Sequence, residues 1–96
     1  MKSWVGQQLI DKAELFDKKN MEYGSTYLKA GQIYEAIFPD GICLNSAQDF
    51  GRFAIFVLMM TKVNRYAQNF EKGGHEDSLD DLSVYAMMLK EIDNES

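Results

Sequence analysis

The hydrophobic positions along the chain recur with the spacing of α-helices in four segments. Over residues 4–20, Val5, Leu9, Ala13 and Phe16 follow one another at intervals of three or four residues, which places them on one helix face. Similar spacing continues over about residues 27–38, 46–70 and 78–92, and no stretch of strand length alternates with a period of two. The pattern predicts a single all-α domain over residues 1–96, built as a four-helix bundle.

Polar and glycine residues separate these segments. The predicted N-caps are residues whose side chains accept hydrogen bonds from the first free N–H groups of a helix: Ser3, Asn45 or Ser46, and Asp77 or Ser78. Gly24 is predicted to end the first helix in a left-handed turn, and Pro39-Asp40-Gly41 is the clearest turn signal of the chain. Residues 71–75, with two glycines, are predicted to form a flexible link before the last helix.

The middle of the third helix is apolar on every side. Its central stretch, Phe53–Met60, therefore has to be covered from nearly all directions. The predicted inward positions of the second and fourth helices are Leu28, Ile33, Tyr34, Ile37, Leu82, Tyr85, Leu89 and Ile92. Three short neighbours can hardly cover such a helix in a chain of 96 residues, so the pattern predicts self-association through it.

The charges narrow the class of partner. The chain carries 10 basic and 15 acidic residues, and residues 71–96 hold eight of the acids but only two of the bases. Since a duplex nucleic acid requires a basic face, we do not expect it as a partner. The longest apolar run is eight residues and Cys43 is the only cysteine, which together favour a cytoplasmic protein with no membrane segment and no disulfide.

Two clusters of charged residues are candidates for chemistry. Asp77 and Asp81 lie one helical turn apart, a spacing at which two carboxylates can share Mg²⁺; alternatively, acids in a first turn stabilise the positive end of the helix dipole. Lys62 and Arg65 are also one turn apart on the third helix, with Asn69 a further turn along. A lysine and an arginine so placed can clamp a phosphate, or they can pair with the acids of the last helix.

The first helix carries a third group of candidates. Tyr23 at its end could stack on a base or form the edge of a core, and Glu14 and Asp17 could add metal ligands or form a solvated face. His75 has no second histidine to share a metal, and Cys43 has no base near it in the sequence.

The order of three short motifs resembles a known family. Lys-Lys-Asn-Met-Glu-Tyr-Gly stands at residues 18–24, Lys-x-x-Arg at 62–65, and Asp-x-x-x-Asp-Leu-x-x-Tyr-Ala at 77–86. Together they resemble small phage and prophage proteins of the MazG-like, all-α nucleotide pyrophosphohydrolase group, in its nucleotide-modification-associated branch, over about residues 12–92. The third helix departs from the active family, because Thr-Lys-Val-Asn-Arg at 61–65 stands where a Glu-Glu-x-x-Glu run is usual.

The resemblance implies a helical homo-oligomer that binds nucleoside phosphates and Mg²⁺. In the first hypothesis the protein is a Mg²⁺-dependent nucleoside triphosphate pyrophosphohydrolase. The residues that would carry this activity are Asp77 and Asp81 as catalytic metal ligands, Glu14, Asp17 and Glu22 completing the metal shell, and Lys62, Arg65, Tyr23 and Asn69 binding the substrate. In the second hypothesis the same scaffold binds or sequesters a nucleotide signal without turnover. In the third, the apolar helix is only a docking surface for another protein.

Overall fold

The computed structural model describes residues 3–23 and 26–95, apart from the side chains of residues 22, 23 and 26. Four α-helices follow one another in this part of the chain: α1 (Trp4–Tyr23), α2 (Ala30–Ile37), α3 (Ala47–Gln68) and α4 (Glu76–Asp93). Short 3-10 turns at Thr26–Leu28 and Phe70–Lys72 precede α2 and α4, and the described residues contain no strand. The all-α expectation is confirmed.

Helices α3 and α4 form an antiparallel hairpin, which is the principal contact between elements of the fold. Near its open end, the Gln48 side-chain amide donates to the carbonyl oxygen of Ile92 at 2.8 Å, and Arg52 Nε lies 2.8 Å from a carboxylate oxygen of Asp93. The predicted inward positions of α4 (Leu82, Tyr85, Leu89 and Ile92) are all partly covered. The register therefore places the apolar stripe of α4 against α3.

Helix α2 packs on α3 through a cluster of four aromatic rings. Tyr34 and Phe38 of this segment face Phe53 and Phe56 of α3, with ring centroids 5.5 to 6.4 Å apart. Such distances are typical of tilted aromatic pairs in protein cores. The cluster fixes α2 on the side of α3 that does not face α4.

Helix α1 extends away from the hairpin and is joined to it by few contacts. Its ring contact with the rest of the described chain is an edge-to-face pair between Phe16 and Tyr27, with centroids 5.9 Å apart. The radius of gyration is 17.4 Å, whereas a compact domain of this length has one of about 12.5 Å. A closed bundle within one chain is thus not what the structure contains.

Two of the predicted N-caps are confirmed, and the N-cap of α4 is a different residue from the ones predicted. Ser3 Oγ accepts from the N–H of Gly6, and Ser46 Oγ accepts from the N–H of Asp49, both at 3.0 Å. The N-cap of α4 is His75, whose Nδ1 accepts from the N–H of Ser78 at 3.2 Å. The prediction of Asp77 or Ser78 as the cap was wrong, because α4 begins at Glu76 and the imidazole of His75 accepts from a first-turn N–H group.

The link before α4 is also more ordered than the glycines suggested. Gly73 and Gly74 both adopt left-handed backbone, with φ of 97° and 98°, and the N–H of Gly74 donates to the carbonyl oxygen of Asn69 at 2.9 Å. The Pro39-Asp40-Gly41 turn forms as predicted: the N–H of Gly41 donates to the carbonyl of Phe38. Gly24 lies outside the described residues.

The predicted second helix differs most from its structure. Its first residues form the 3-10 turn, and two of its four predicted inward side chains, Leu28 and Ile37, are exposed. Only Ile33 and Tyr34 of that set are partly covered. A short segment with one neighbour has one face to cover, so the remaining apolar positions stay in solvent.

None of the described helices reaches the combination of length and hydropathy that a bilayer crossing requires.

Candidate functional site

The hairpin brings Lys62 together with Asp81. Lys62 Nζ lies 3.1 Å from a carboxylate oxygen of Asp81, and the side chains are 18% and 51% exposed. The long lysine stem is covered by the hairpin while the carboxylate remains half in water. Of the two alternatives for Lys62, pairing with an acid of the last helix is therefore the one the described geometry contains.

Breaking this ion pair is expected to have a small effect, because the solvent screens a half-exposed carboxylate. In a double-mutant cycle of Lys62→Met and Asp81→Ala, we expect a coupling free energy of about 0.5–1 kcal/mol that falls at high salt. Methionine keeps the apolar stem, so the cycle isolates the charge. Urea unfolding of the four proteins measures it, and a coupling insensitive to salt would speak against a Coulombic pair.

Arg65 faces a different part of the surface. It lines a groove of about 340 Å³ between α2, with the 3-10 turn that precedes it, and the C-terminal half of α3. We call this the tyrosine–arginine groove; its lining residues are Tyr27, Ala30, Ile33, Tyr34, Val57, Thr61, Asn64, Arg65 and Gln68. Apolar side chains form much of its wall, and a guanidinium, two phenols, two amides and a hydroxyl supply polar groups.

Lys62 and Arg65 are thus one turn apart, but Lys62 pairs with Asp81 of α4 whereas Arg65 lines the groove beside α2. Lys62 is not among the residues that line the groove, and Asp81 does not line it either. The side-chain amide of Asn69 donates to the carbonyl oxygen of Arg65 at 2.8 Å, so Asn69 closes the end of α3. The first hypothesis assigns Lys62, Arg65 and Asp81 to one site, whereas the structure places Arg65 in the groove and the Lys62–Asp81 pair outside it.

The predicted metal ligands are not gathered in the described part of one chain. Glu14 and Asp17 lie exposed on α1, and Asp77 is exposed in the first turn of α4. The side chains of Glu22 and Tyr23 lie outside the described residues. Over residues 3–23 and 26–95, no three His, Cys, Asp or Glu side chains come close enough to hold a metal ion together. The magnesium site stays a prediction.

A second cleft lies at the other end of the hairpin. It has a volume of about 390 Å³, and apolar side chains of the 38–44 segment and of α3 form most of it. At its rim Arg52 pairs with Asp93 and lies 3.8 Å from Asp49. The guanidinium of Arg52 is thus held by two carboxylates.

Sequence reasoning did not find most of the tyrosine–arginine groove. Tyr34 is predicted only as an inward position of the second helix and Tyr27 only as its first residue. Asn64 and Gln68 are not among the predicted binding residues. One signal was available: positions 57, 61, 64, 65 and 68 fall on one face of a helix, and all but the first are polar. A polar patch on an otherwise apolar helix indicates a surface that contacts solvent or a polar ligand.

Comparisons of the chain with known protein families, with characterised proteins and with solved structures found no match. The likeness to the MazG-like group therefore rests on the three short motifs alone.

Proposed function

We propose that this protein binds a nucleoside phosphate in the tyrosine–arginine groove. The observation that carries the proposal is the meeting of a guanidinium and two tyrosine side chains in one groove of about 340 Å³. The motif resemblance at residues 18–24, 62–65 and 77–86 supports the same class of ligand.

Arg65 is the group that suits a phosphate. A guanidinium presents two parallel N–H donors that match two phosphate oxygens, and it keeps its charge at any physiological pH. Arg65 lies in the last turn of α3, where Thr61 and Asn64 line the same groove within one turn. These hydroxyl and amide groups can complete the hydrogen bonds of a sugar or of the remaining phosphate oxygens.

The two tyrosines suit the base. Tyr27 is exposed and approaches the groove from the 3-10 turn, while Tyr34 is partly covered by its packing on Phe53 and Phe56. Aromatic faces bind bases by stacking with little dependence on sequence. The volume lies at the small end of ligand pockets, which favours a single nucleotide over a dinucleotide.

The proposed function is nucleotide binding; hydrolysis of the nucleotide is one of the outcomes that the experiment below can show. In one chain the carboxylates of α1 and α4 do not form a cage, and the Asp81 carboxylate pairs with Lys62. Since these residues do not fit a bound Mg²⁺ within the described chain, no chemical step is derived through the metal. The second hypothesis, binding without turnover, is the one this arrangement supports.

Isothermal titration with individual ribo- and deoxynucleotides tests the proposal. We expect Arg65→Ala to weaken binding by about tenfold or more, because a hydrogen bond to a charged group contributes about 1.5–3 kcal/mol. Arg65→Lys should recover part of the affinity, since it restores the charge without the two-pronged geometry. Arg52→Ala is the matched control, because it removes an arginine of the same helix that lines the other cleft.

The result that overturns the proposal is a wild-type protein that binds no nucleotide, or an Arg52→Ala variant that loses as much affinity as Arg65→Ala. Pyrophosphate release in the presence of Mg²⁺ would instead show that the protein is the pyrophosphohydrolase of the first hypothesis. The comparison of Arg65→Ala with Arg52→Ala would still show whether the nucleotide binds in the groove.

A further inference from the structure

The surface of one chain is too large for a folded protein of its mass. Its accessible area is 7656 Å², whereas a compact monomer of 11.0 kDa exposes about 5,600 Å². Among the described residues no hydrophobic side chain is buried, and the only buried residue is Ser78. Apolar side chains that are only partly covered supply less of the hydrophobic stabilisation than the fully buried core of a folded domain does.

The excess is close to what a permanent interface removes. About 2,000 Å² per chain corresponds to about 4,000 Å² for a pair, which falls within the range of obligate homodimers. A surface of this size is larger than a small ligand or a short peptide would cover. The area therefore points to a folded partner with a matching apolar face.

One face of α3 is open over the N-terminal half of the helix. Helix α4 occupies the side that carries Gln48, Arg52 and Lys62, and the aromatic cluster of α2 occupies a second side. A third side carries the exposed residues Phe50, Ala54 and Leu58, which follow one another at four-residue intervals on a single helix face. We call these three residues the open stripe of α3.

Helix α1 has an apolar stripe that the described part of its own chain contacts mainly at Phe16. Val5, Leu9 and Phe16 are exposed along 20 residues that touch the remainder of the fold mainly at the Phe16–Tyr27 contact. A helix of this length is marginal in water unless an apolar face packs against something. Two largely exposed apolar stripes, one on α1 and one on α3, are thus present in every copy of the chain.

We infer that the protein is a two-fold symmetric homodimer in which α1 of each chain packs across the open stripe of α3 of the other. In a two-fold symmetric dimer the contact between α1 of one chain and α3 of the other occurs twice. A single arrangement therefore covers the stripes of α1 and α3 in both chains. The interface adjoins the tyrosine–arginine groove through Thr61, one turn beyond Leu58, but the inference does not depend on nucleotide binding.

Sedimentation equilibrium of the full chain tests the stoichiometry. We expect a mass twice the 11.0 kDa of one chain at micromolar concentration, and a melting temperature that rises with protein concentration because unfolding and dissociation are coupled. A monomer at all concentrations, with a melting temperature independent of concentration, overturns the inference and leaves the stripes to another partner.

A matched pair of variants tests the face. Leu58 and Val63 are almost equally exposed, at 40% and 42%, but they lie on different sides of α3. We expect Leu58→Glu to shift the dissociation midpoint to at least tenfold higher concentration, or to abolish the folded dimer. Val63→Glu should leave the midpoint within about twofold, and equal effects of the two would reject the open stripe as the interface.

Cross-linking between differently substituted chains tests the placement of α1 without relying on a disruptive variant. In a Cys43→Ser background, chains carrying Leu9→Cys are mixed with chains carrying Leu58→Cys, refolded together and treated with a short bismaleimide. A covalent heterodimer is expected from this mixture, and much less from chains carrying Leu9→Cys mixed with chains carrying Lys72→Cys. Equal yields from the two mixtures, or none from either, would contradict the exchange of α1.

Discussion

Phe56→Ala is expected to lower the free energy of unfolding by about 2–3 kcal/mol. Phe56 contacts three other rings, with centroids 6.3 Å away at Tyr34, 5.5 Å at Phe38 and 6.4 Å at Phe53. Removing a fully buried phenylalanine costs about 3–5 kcal/mol, and the partial cover of this ring in one chain brings the expectation down. Urea unfolding at fixed protein concentration measures the effect.

Phe70→Ala provides the control for the same change at an exposed ring. Phe70 is 68% exposed and packs edge-to-face against the ring of Tyr66, with centroids 6.2 Å apart. Its removal should cost less than about 1 kcal/mol, as for most exposed positions. If the two alanine variants were equally stable, the aromatic cluster would not be what holds α2 on α3.

Gly74→Ala is expected to destabilise the protein by about 2–4 kcal/mol, through two separable causes. Gly74 has φ of 98°, where a side chain is strained by about 1–2 kcal/mol. In addition, a Cβ at this position would stand 3.0 Å from Cε2 of Tyr66, so the ring or the turn would have to move. Chemical unfolding of the variant measures the sum.

Gly73→Ala separates the two causes. Its φ of 97° is nearly the same, but a Cβ there would meet no atom within 4 Å, so only the backbone strain should appear. The difference between the alanine variants is then the cost of crowding Tyr66, and it should largely disappear when Tyr66 is replaced by leucine. Equal costs at positions 73 and 74 would show that the close approach to the ring does not matter.

The helices and several of their ends could be predicted because they depend on neighbours in the sequence. The cap at Ser46 and the turn at Pro39-Asp40-Gly41 each involve residues within four positions of one another, and both formed as expected. The cap of α4 shows the limit of this local reasoning. His75 is less usual as a cap than aspartate or serine, yet its Nδ1 accepts from the N–H of Ser78 in the first turn.

The candidate site was harder to predict because it depends on which side of α3 each neighbour occupies. Lys62 and Arg65 are adjacent along the helix surface, and their spacing alone favours a common ligand. Helix α4 packs on the side of Lys62, while the segment around Tyr27 and Tyr34 packs near Arg65. The two cations therefore contact different elements, although they are close on the surface of α3. No sequence pattern directly gives the side of α3 on which each neighbouring helix packs.

The hairpin of α3 and α4 has a consequence for how quickly the protein assembles. Its two helices are joined by the short turn around Gly73 and Gly74, so their mutual contacts close after the loss of little chain entropy. Refolding should therefore begin with a rapid phase whose rate does not change on dilution. In the homodimer inferred above, α1 would then pack across the open stripe of α3 of the other chain in a slower phase, whose rate is proportional to protein concentration.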